Sequence, residues 1–356
     1  MREVDIVIVG GGPAGSSLAW ALRDSPHQIL IMDKAKFPRN KICAGWITPA
    51  VINELQIDLY DYQQERELQA IKGFRIGYLD KSMGGHEVET CYDETVSYGI
   101  RRVEFDDYLL KRCGAELSLN NKIKHIEKYS DHWIINNEIK TRLLVGAGGH
   151  FCPVARALGH KTGKHELAVA AQEVEFEMDE HQQALCNVSE TIPVLYFCND
   201  LQGYGWVFRK GNYLNIGLGR EDNHQLSEHV KTFCQFLKQQ KILGFEIEQR
   251  FQGHAYLLYN HAQRDLVAGQ AILIGDAAGL AYPQSGEGIR PAVESALFAA
   301  QTLIDAQGDF SKAQLQPYQQ KMEQRFGKRQ PGTDIIDRVP EKIRVQLASQ
   351  LLTSKW

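Results

Sequence analysis

The chain has 356 residues, enough for one large domain or two modest ones, and its apolar (43%) and charged (24%) fractions are those of a globular protein. A formal charge of -4, from 40 Lys and Arg against 44 Asp and Glu, supplies no basic excess for a nucleic-acid partner. No run of about 18 apolar residues occurs, no signal-peptide pattern opens the chain, and seven scattered cysteines without a C-x-x-C pair suggest neither a disulfide framework nor a metal site, so a cytoplasmic protein is expected.

The run VDIVIV over residues 4–9 is nearly continuous and β-branched, as in a strand buried on both faces of a parallel sheet. Gly10, Gly12 and Gly15 follow as G-x-G-x-x-G, with Ala14 inside the motif, and a helical apolar pattern covers residues 16–22. Gly10 allows the tight turn, Gly12 leaves room for a pyrophosphate, and Gly15 lets the helix approach the sheet, so the order of strand, turn and helix predicts a dinucleotide site. A second strand is expected over residues 28–32. Asp33 ends it, 18 residues beyond Gly15, where a carboxylate can accept from adenosine ribose hydroxyls; Lys34 is next.

Toward the other end, residues 271–274 (AILI) predict another buried strand, followed by Gly275, Asp276, Ala277, Ala278 and Gly279, then Pro283 to Ile289, then a long helix to about Ala306. GDAAG with P-x-x-G-E-G-I resembles the distal flavin motif of the p-hydroxybenzoate-hydroxylase-like superfamily. The resemblance implies FAD: Asp276 holds the ribityl chain, and Gly286, Gly288 and Ile289 present backbone N–H groups to the pyrimidine end of the isoalloxazine. The positive helix end there would favour a reduced, anionic flavin. Arg102, Phe105 and Asp106 resemble that superfamily's R-x-x-F-D helix start, in which the Arg reaches the cofactor; a surface charge is the alternative. Residues 143–159 depart from the G-A-D-G-x-x-S-x-V-R pattern, with Gly148, Cys152 and Ala155 at the acid, Ser and Arg positions. That departure counts against direct reduction by NAD(P)H, and with no second G-x-G-x-x-G an NAD(P)H or other electron donor would bind transiently.

Two stretches are narrower. Phe37 to Gly45, FPRNKICAG, resembles the F-P-R-x-K-x-C-G-G segment of the geranylgeranyl reductase family, with Ala44 in place of one glycine. Residues 203–211 and 215–219 resemble its G-Y-x-W-x-F-P-K-G and N-V-G-x-G pair, with Arg209 replacing the proline. Lys41, Cys43 and Ala44 are then expected beside the cofactor. Tyr204, Trp206 and Phe208 alternate at strand spacing, so they share one face as an aromatic wall for an extended apolar substrate, or as plain sheet core. Tyr204, Trp206 and Cys43 are the catalytic candidates; a thiol at Cys43 could help deliver a proton, whereas a buried free cysteine is commonly inert. Lys41 reads as a partner of a phosphate or carboxylate, or as a solvated lysine, and His150 and His254 as structural.

The resemblance implies an FAD-dependent oxidoreductase that reduces carbon–carbon double bonds of a prenyl or other apolar small-molecule substrate. Two alternatives stand beside it. One is an FAD-dependent monooxygenase, or a halogenase whose W-x-W-x-I-P stretch would here be replaced by Tyr204 to Arg209; the other is an electron-transfer flavoprotein. The expected fold class is α/β: a Rossmann-type FAD domain with a mostly parallel sheet (1–70, 100–160, 265–305), an antiparallel-sheet substrate domain (71–99, 161–264), and C-terminal helices (306–356). In that last segment Ile343, Leu347, Leu351 and Leu352 fall on one helical side, which would either pack on the protein or rest on a membrane surface.

Overall fold

A computed structural model describes residues 1–79, 87–160, 168–222, 225–262, 264–283 and 285–329. The amphipathic segment expected over 340–356, and Gln284 of the second glycine stretch, lie outside these residues.

The β-branched opening run forms the strand Arg2–Val9, flanked in parallel by Ile29–Met32 and Ile139–Gly146. Glu116–Ser118 extends the sheet in parallel at one edge, Ala271–Leu273 pairs in parallel with Ile139–Gly146, and Trp133–Ile135 and Ile126–Lys128 add an antiparallel ribbon. The sheet is thus mostly parallel. Ile6, Ile8, Leu30, Leu144 and Leu273 are fully buried in it, each contributing about 1.5–3 kcal/mol of burial. The first helix is Pro13–Ala21, starting three residues before the expected Ser16 because Pro13 is preorganised for a first helical position. It packs against the long helix Ile289–Asp305.

A second seven-stranded sheet runs Gln252–Leu257, Ala168–Glu177, Tyr213–Arg220, Gly203–Lys210, Val194–Phe197, Gly73–Tyr78 and Val88–Cys91. All its pairings are antiparallel except Val194–Phe197 with Gly73–Tyr78. Its outer face carries Val174, Val207, Ile216 and Leu218, covered by Val230, Phe233 and Leu237 of the helix Leu226–Gln239. A small third sheet (Trp46–Ile47, Ser97–Ile100, Leu68–Ile71) lies beside it, and among the described residues no helix is long and apolar enough to cross a membrane.

Register decides what the inner face of the second sheet presents. Tyr204, Trp206 and Phe208 lie opposite Gly219, Gly217 and Asn215, which in turn lie opposite Ala171, Glu173 and Glu175. Three rows therefore cross three strands on one face. Trp206 lies down across its row because Gly217 has no side chain: a Cβ there would stand 2.1 Å from the indole Cζ2. On the opposite face Gly205 makes room for Phe233 in the same way, with 2.6 Å to a hypothetical Cβ.

Gly217→Val is expected to lower stability by about 1–3 kcal/mol through overpacking and to alter tryptophan fluorescence. Gly219→Ala, whose added carbon would meet its nearest neighbour at 3.6 Å, should stay within about 0.5 kcal/mol of the wild type. Denaturant unfolding of both variants checks the contrast.

Candidate functional site

The glycine turn and the loops after Met32 and Ile274 meet at one edge of the parallel sheet. Gly10 has φ +116°, and a Cβ at Gly15 would lie 1.9 Å from Gly10 O, so these two glycines are required by the turn itself. Gly12 differs. A Cβ there would meet only Arg39 Nη2, at 3.4 Å, and Asp106 Oδ2, at 4.0 Å, so the protein leaves open space beside this residue. Arg39 Nη2 is 3.1 Å from Asp106, while its Nη1 is buried without a hydrogen-bond partner. An open cradle at a helix N-terminus with an unsatisfied guanidinium nitrogen beside it suits a phosphate.

Asp33 accepts from Gly11 N and Ala35 N, each at 2.8 Å, one bond per carboxylate oxygen, which leaves lone pairs for further donors. Ala14 is buried in the helix start, and Lys34 is exposed at the strand end. Arg102 is no surface charge: it is buried and donates to both oxygens of Asp106, at 2.7 and 2.8 Å. Burial works against its charge, and Asp106 more than restores it, so the guanidinium is held above its ordinary value.

At the other end, Gly275 and Asp276 open a short 3-10 turn, and Asp276 Oδ1 would stand 3.1 Å from a Cβ at Gly288, the residue that caps Ile289–Asp305. Gly286 has φ +68°, and the Tyr256 hydroxyl occupies the place of its missing side chain. Tyr204 reaches the same loop by donating to Ser285 O at 2.7 Å, and burial pushes its phenol up to about 12.

The loop after Met32 crosses the inner face of the second sheet. Cys43 N donates to Glu173 Oε1 at 2.5 Å, and Asn215 Nδ2 donates to Cys43 O at 3.4 Å and to Glu175 Oε2 at 3.3 Å. Asn215 Oδ1 accepts from Trp206 Nε1 at 2.8 Å, which fixes the indole. Lys41 Nζ is 3.0 and 3.1 Å from the two ring nitrogens of His254. Burial, then Arg102, pulls Lys41 down to about 8, with Asp276 opposing. Burial, then Lys41, Arg102 and His150, pulls His254 down to about 3, so at neutral pH Lys41 carries the charge and the imidazole does not. Ala44 follows, half-buried in the same loop.

The site therefore draws Gly12, Asp33, Lys41, Cys43, Arg102, Asp276, Gly286, Tyr204 and Trp206 into one region between the two sheets. Phe208 stands apart. It is 1% exposed, packed on Trp46 at 5.6 Å between ring centroids and against Gly99, which covers it over and places it in the core beside the wall. Arg209 points to the other face and pairs with Glu190 at 3.1 Å. Sequence reasoning assigned no role to Arg39, Glu173 or Asn215, although Arg39 and Asn215 sit inside the quoted motifs; the alternation of Glu173, Glu175 and Glu177 along one strand was the available signal for the second.

Residues 8–59 match the family described as NAD(P)-binding Rossmann-like domain. The digeranylgeranylglycerophospholipid reductase of Methanocaldococcus jannaschii is 25% identical, over 91% of this chain and 84% of its own length. The menaquinone reductase of Mycobacterium tuberculosis is 29% identical, over 85% and 76%. The chain is similar along most of its length to these prenyl-lipid and quinone reductases. It is an FAD-dependent oxidoreductase. The solved structure of a geranylgeranyl bacteriochlorophyll reductase-like protein from Thermoplasma acidophilum has the same fold, with a TM-score of 0.76 at 22% identity, covering 100% of this chain and 89% of that one.

His254 gives the folded chain a pH signature. An unfolded chain takes up a proton near the ordinary histidine value, the folded one only near 3, so stability is lost as pH falls through that window. The loss should be on the order of a few kcal/mol and absent from His254→Gln. Urea unfolding of both apoproteins across the acid range measures the difference, which should widen as the pH is lowered.

Proposed function

We propose that this reductase holds FAD between the glycine turn and the Asp276 loop and reduces carbon–carbon double bonds of a prenyl-chain substrate laid along Tyr204 and Trp206. The observation that carries the reading is the meeting of three things in one place: an open phosphate cradle, a second glycine loop at a helix start, and an aromatic sheet face turned toward both.

In this reading Gly10, Gly12, Ala14 and Gly15 form the pyrophosphate turn, and Arg39 completes it with its unpaired nitrogen. Asp33 takes the adenosine ribose, Asp276 the ribityl chain, and Gly286, Gly288 and Ile289 the pyrimidine end of the ring system. Lys41 and Arg102 supply positive charge, balanced in the protein by Asp106 and Asp276. Reduced FAD, when bound, supplies a hydride. The protein's own groups bind and exclude water: Trp206, 8% exposed and fixed by Asn215, offers an indole surface to an apolar chain. Cys43 is held at the edge of that surface by Glu173 and Asn215, with its Sγ accepting from Gly45 N at 3.4 Å. Phe208 continues the same face into the core, beneath Trp46.

Prenyl lipids as the substrate class are supported by the archaeal and mycobacterial relatives, whose substrates are a digeranylgeranylglycerophospholipid and menaquinone. Tyr204 and Trp206, with Gly217 letting the indole lie flat, make an aromatic surface suited to such a chain.

Flavin retention tests the cofactor assignment. Gly12→Val meets almost no protein atoms, so it should fold and purify without flavin, and Asp276→Ala should lose most of it; full flavin occupancy in either variant would contradict its role.

The reaction is tested by reducing the holoenzyme with dithionite without oxygen and adding geranylgeranyl diphosphate. Reoxidation of the flavin, with a product heavier by two hydrogens, is expected; a flavin that stays reduced until air enters would overturn the reading. Trp206→Ala should keep its flavin and lose about tenfold to a hundredfold in kcat/KM.

A further inference from the structure

Hydride delivery to an alkene leaves one proton to be found, and the inner face of the second sheet holds two carboxyl groups in opposite circumstances. Glu175 Oε2 accepts from Lys210 Nζ at 2.6 Å and from Asn215, and its Oε1 is 3.4 Å from Arg101. Burial pushes Glu175 up, but Lys210 and Arg101 hold it below the ordinary carboxylate range, so it is ionised. Glu173, two residues away on the same face, is 5% exposed and has no ion pair among the described residues; Oε1 accepts from Cys43 N, and Oε2 is buried with no hydrogen-bond partner among them. Among adjacent carboxyls with diverging environments, the one kept neutral is the acid.

We propose that Glu173 is the proton donor of the reduction, releasing its proton from Oε2 between the Cys43 loop and the Trp206 wall. Its position carries this: Glu173, Gly217 and Trp206 form one cross-strand row, and because Gly217 has no side chain the indole lies over the middle of that row, on the side of the acid. The anchoring bond to Cys43 N ties the carboxyl to the loop that closes the site.

The neighbouring groups are already committed. Tyr204 gives its hydroxyl proton to Ser285 O. Lys210 is held by Glu175 and Ile100 O, and Arg102 by Asp106. Lys41 faces His254 on the adjacent strand. The charged groups acting on Glu173 are Lys210 and Arg102, which favour its anion, and Glu175, which opposes it; burial exceeds them all and raises Glu173 to about 7. In the step itself the Glu173 O–H bond breaks and a C–H bond forms at one alkene carbon. The other carbon receives the hydride, with both electrons, from the reduced flavin; the π bond is lost, and the Glu173 carboxylate is reprotonated from solvent.

This assignment rests on the alkene-reductase reading, and the experiment separates the two. FAD-loaded wild type, Glu173→Gln and Glu173→Asp are compared. Gln still accepts from Cys43 N but carries no acid proton. Without substrate, infrared difference spectra across pH should show a protonated-acid carbonyl band in the wild type that disappears as pH rises through about 7 and is missing in the Gln variant. With dithionite-reduced enzyme and geranylgeranyl diphosphate, the wild-type reoxidation rate should fall as pH rises through the same range. The Gln variant should be slower by about 10²–10⁴-fold, flat with pH, and unchanged in FAD affinity; the Asp variant should recover part of the rate and the pH dependence. Wild type that reoxidises while the Gln variant matches its rate and profile overturns the role of Glu173 alone, as does the absence of the band. Wild type that is never reoxidised by the alkene overturns the reductase reading, and this proton's destination with it.

Discussion

Lys210 is wholly buried, and an ammonium taken out of water must be answered at close range or the fold does not form. Glu175 and the carbonyl of Ile100 answer it, which fixes the second sheet against the small third sheet. The same Glu175 meets Arg101 and Asn215, and Asn215 holds both the Trp206 indole and the backbone of Cys43. One buried charge thus locates the aromatic wall, the loop crossing it and the start of the helix that carries Arg102. Removing a single partner would leave its mate uncompensated, at a cost of about 3–5 kcal/mol, so these positions are coupled more tightly than their separation in sequence suggests.

Much of the first sheet was legible because its signals are local. The β-branched run before Gly10, the spacing to Asp33 and the glycines around Asp276 all concern residues that are neighbours in the chain, and strand, turn and helix appear there in the order expected. The single-face alternation of Tyr204, Trp206 and Phe208 was legible for the same reason. What lay hidden is set by tertiary contact. In Ala168–Glu177 the acids alternate with apolar residues, a pattern that reads as a solvent face; here that face is covered by a loop more than a hundred residues earlier in the chain, which turns Glu173 from a surface charge into a buried acid. Lys41 and His254 meet across 213 residues, and no spacing rule links them. Phe208 shares the alternation of the wall but is covered by Trp46, a residue its own strand gives no hint of.

The inner face also shows how one strand can hold two acids in two states. Glu173 and Glu175 have the same chemistry and the same orientation; only the second has a cation within hydrogen-bonding reach. Two residues of strand separate a structural anion from a carboxyl that burial raises to about 7, and the difference lies in the Lys210 and Arg101 cations beside Glu175. Placing both beneath the loop that carries Cys43 lets the ion pair supply rigidity while the unpaired carboxyl holds its proton more tightly than an ordinary glutamic acid.

The bond from the Tyr204 hydroxyl to Ser285 O joins the second sheet to the glycine loop beside Asp276. A ligand that turned this ring would surrender the bond and release the loop, so the two sides of the cleft exchange free energy through one phenol. Thermodynamic reciprocity then applies: whatever factor occupancy of the wall imposes on affinity at the loop, occupancy of the loop must impose on affinity at the wall. The tyrosine makes the cleft a single binding system.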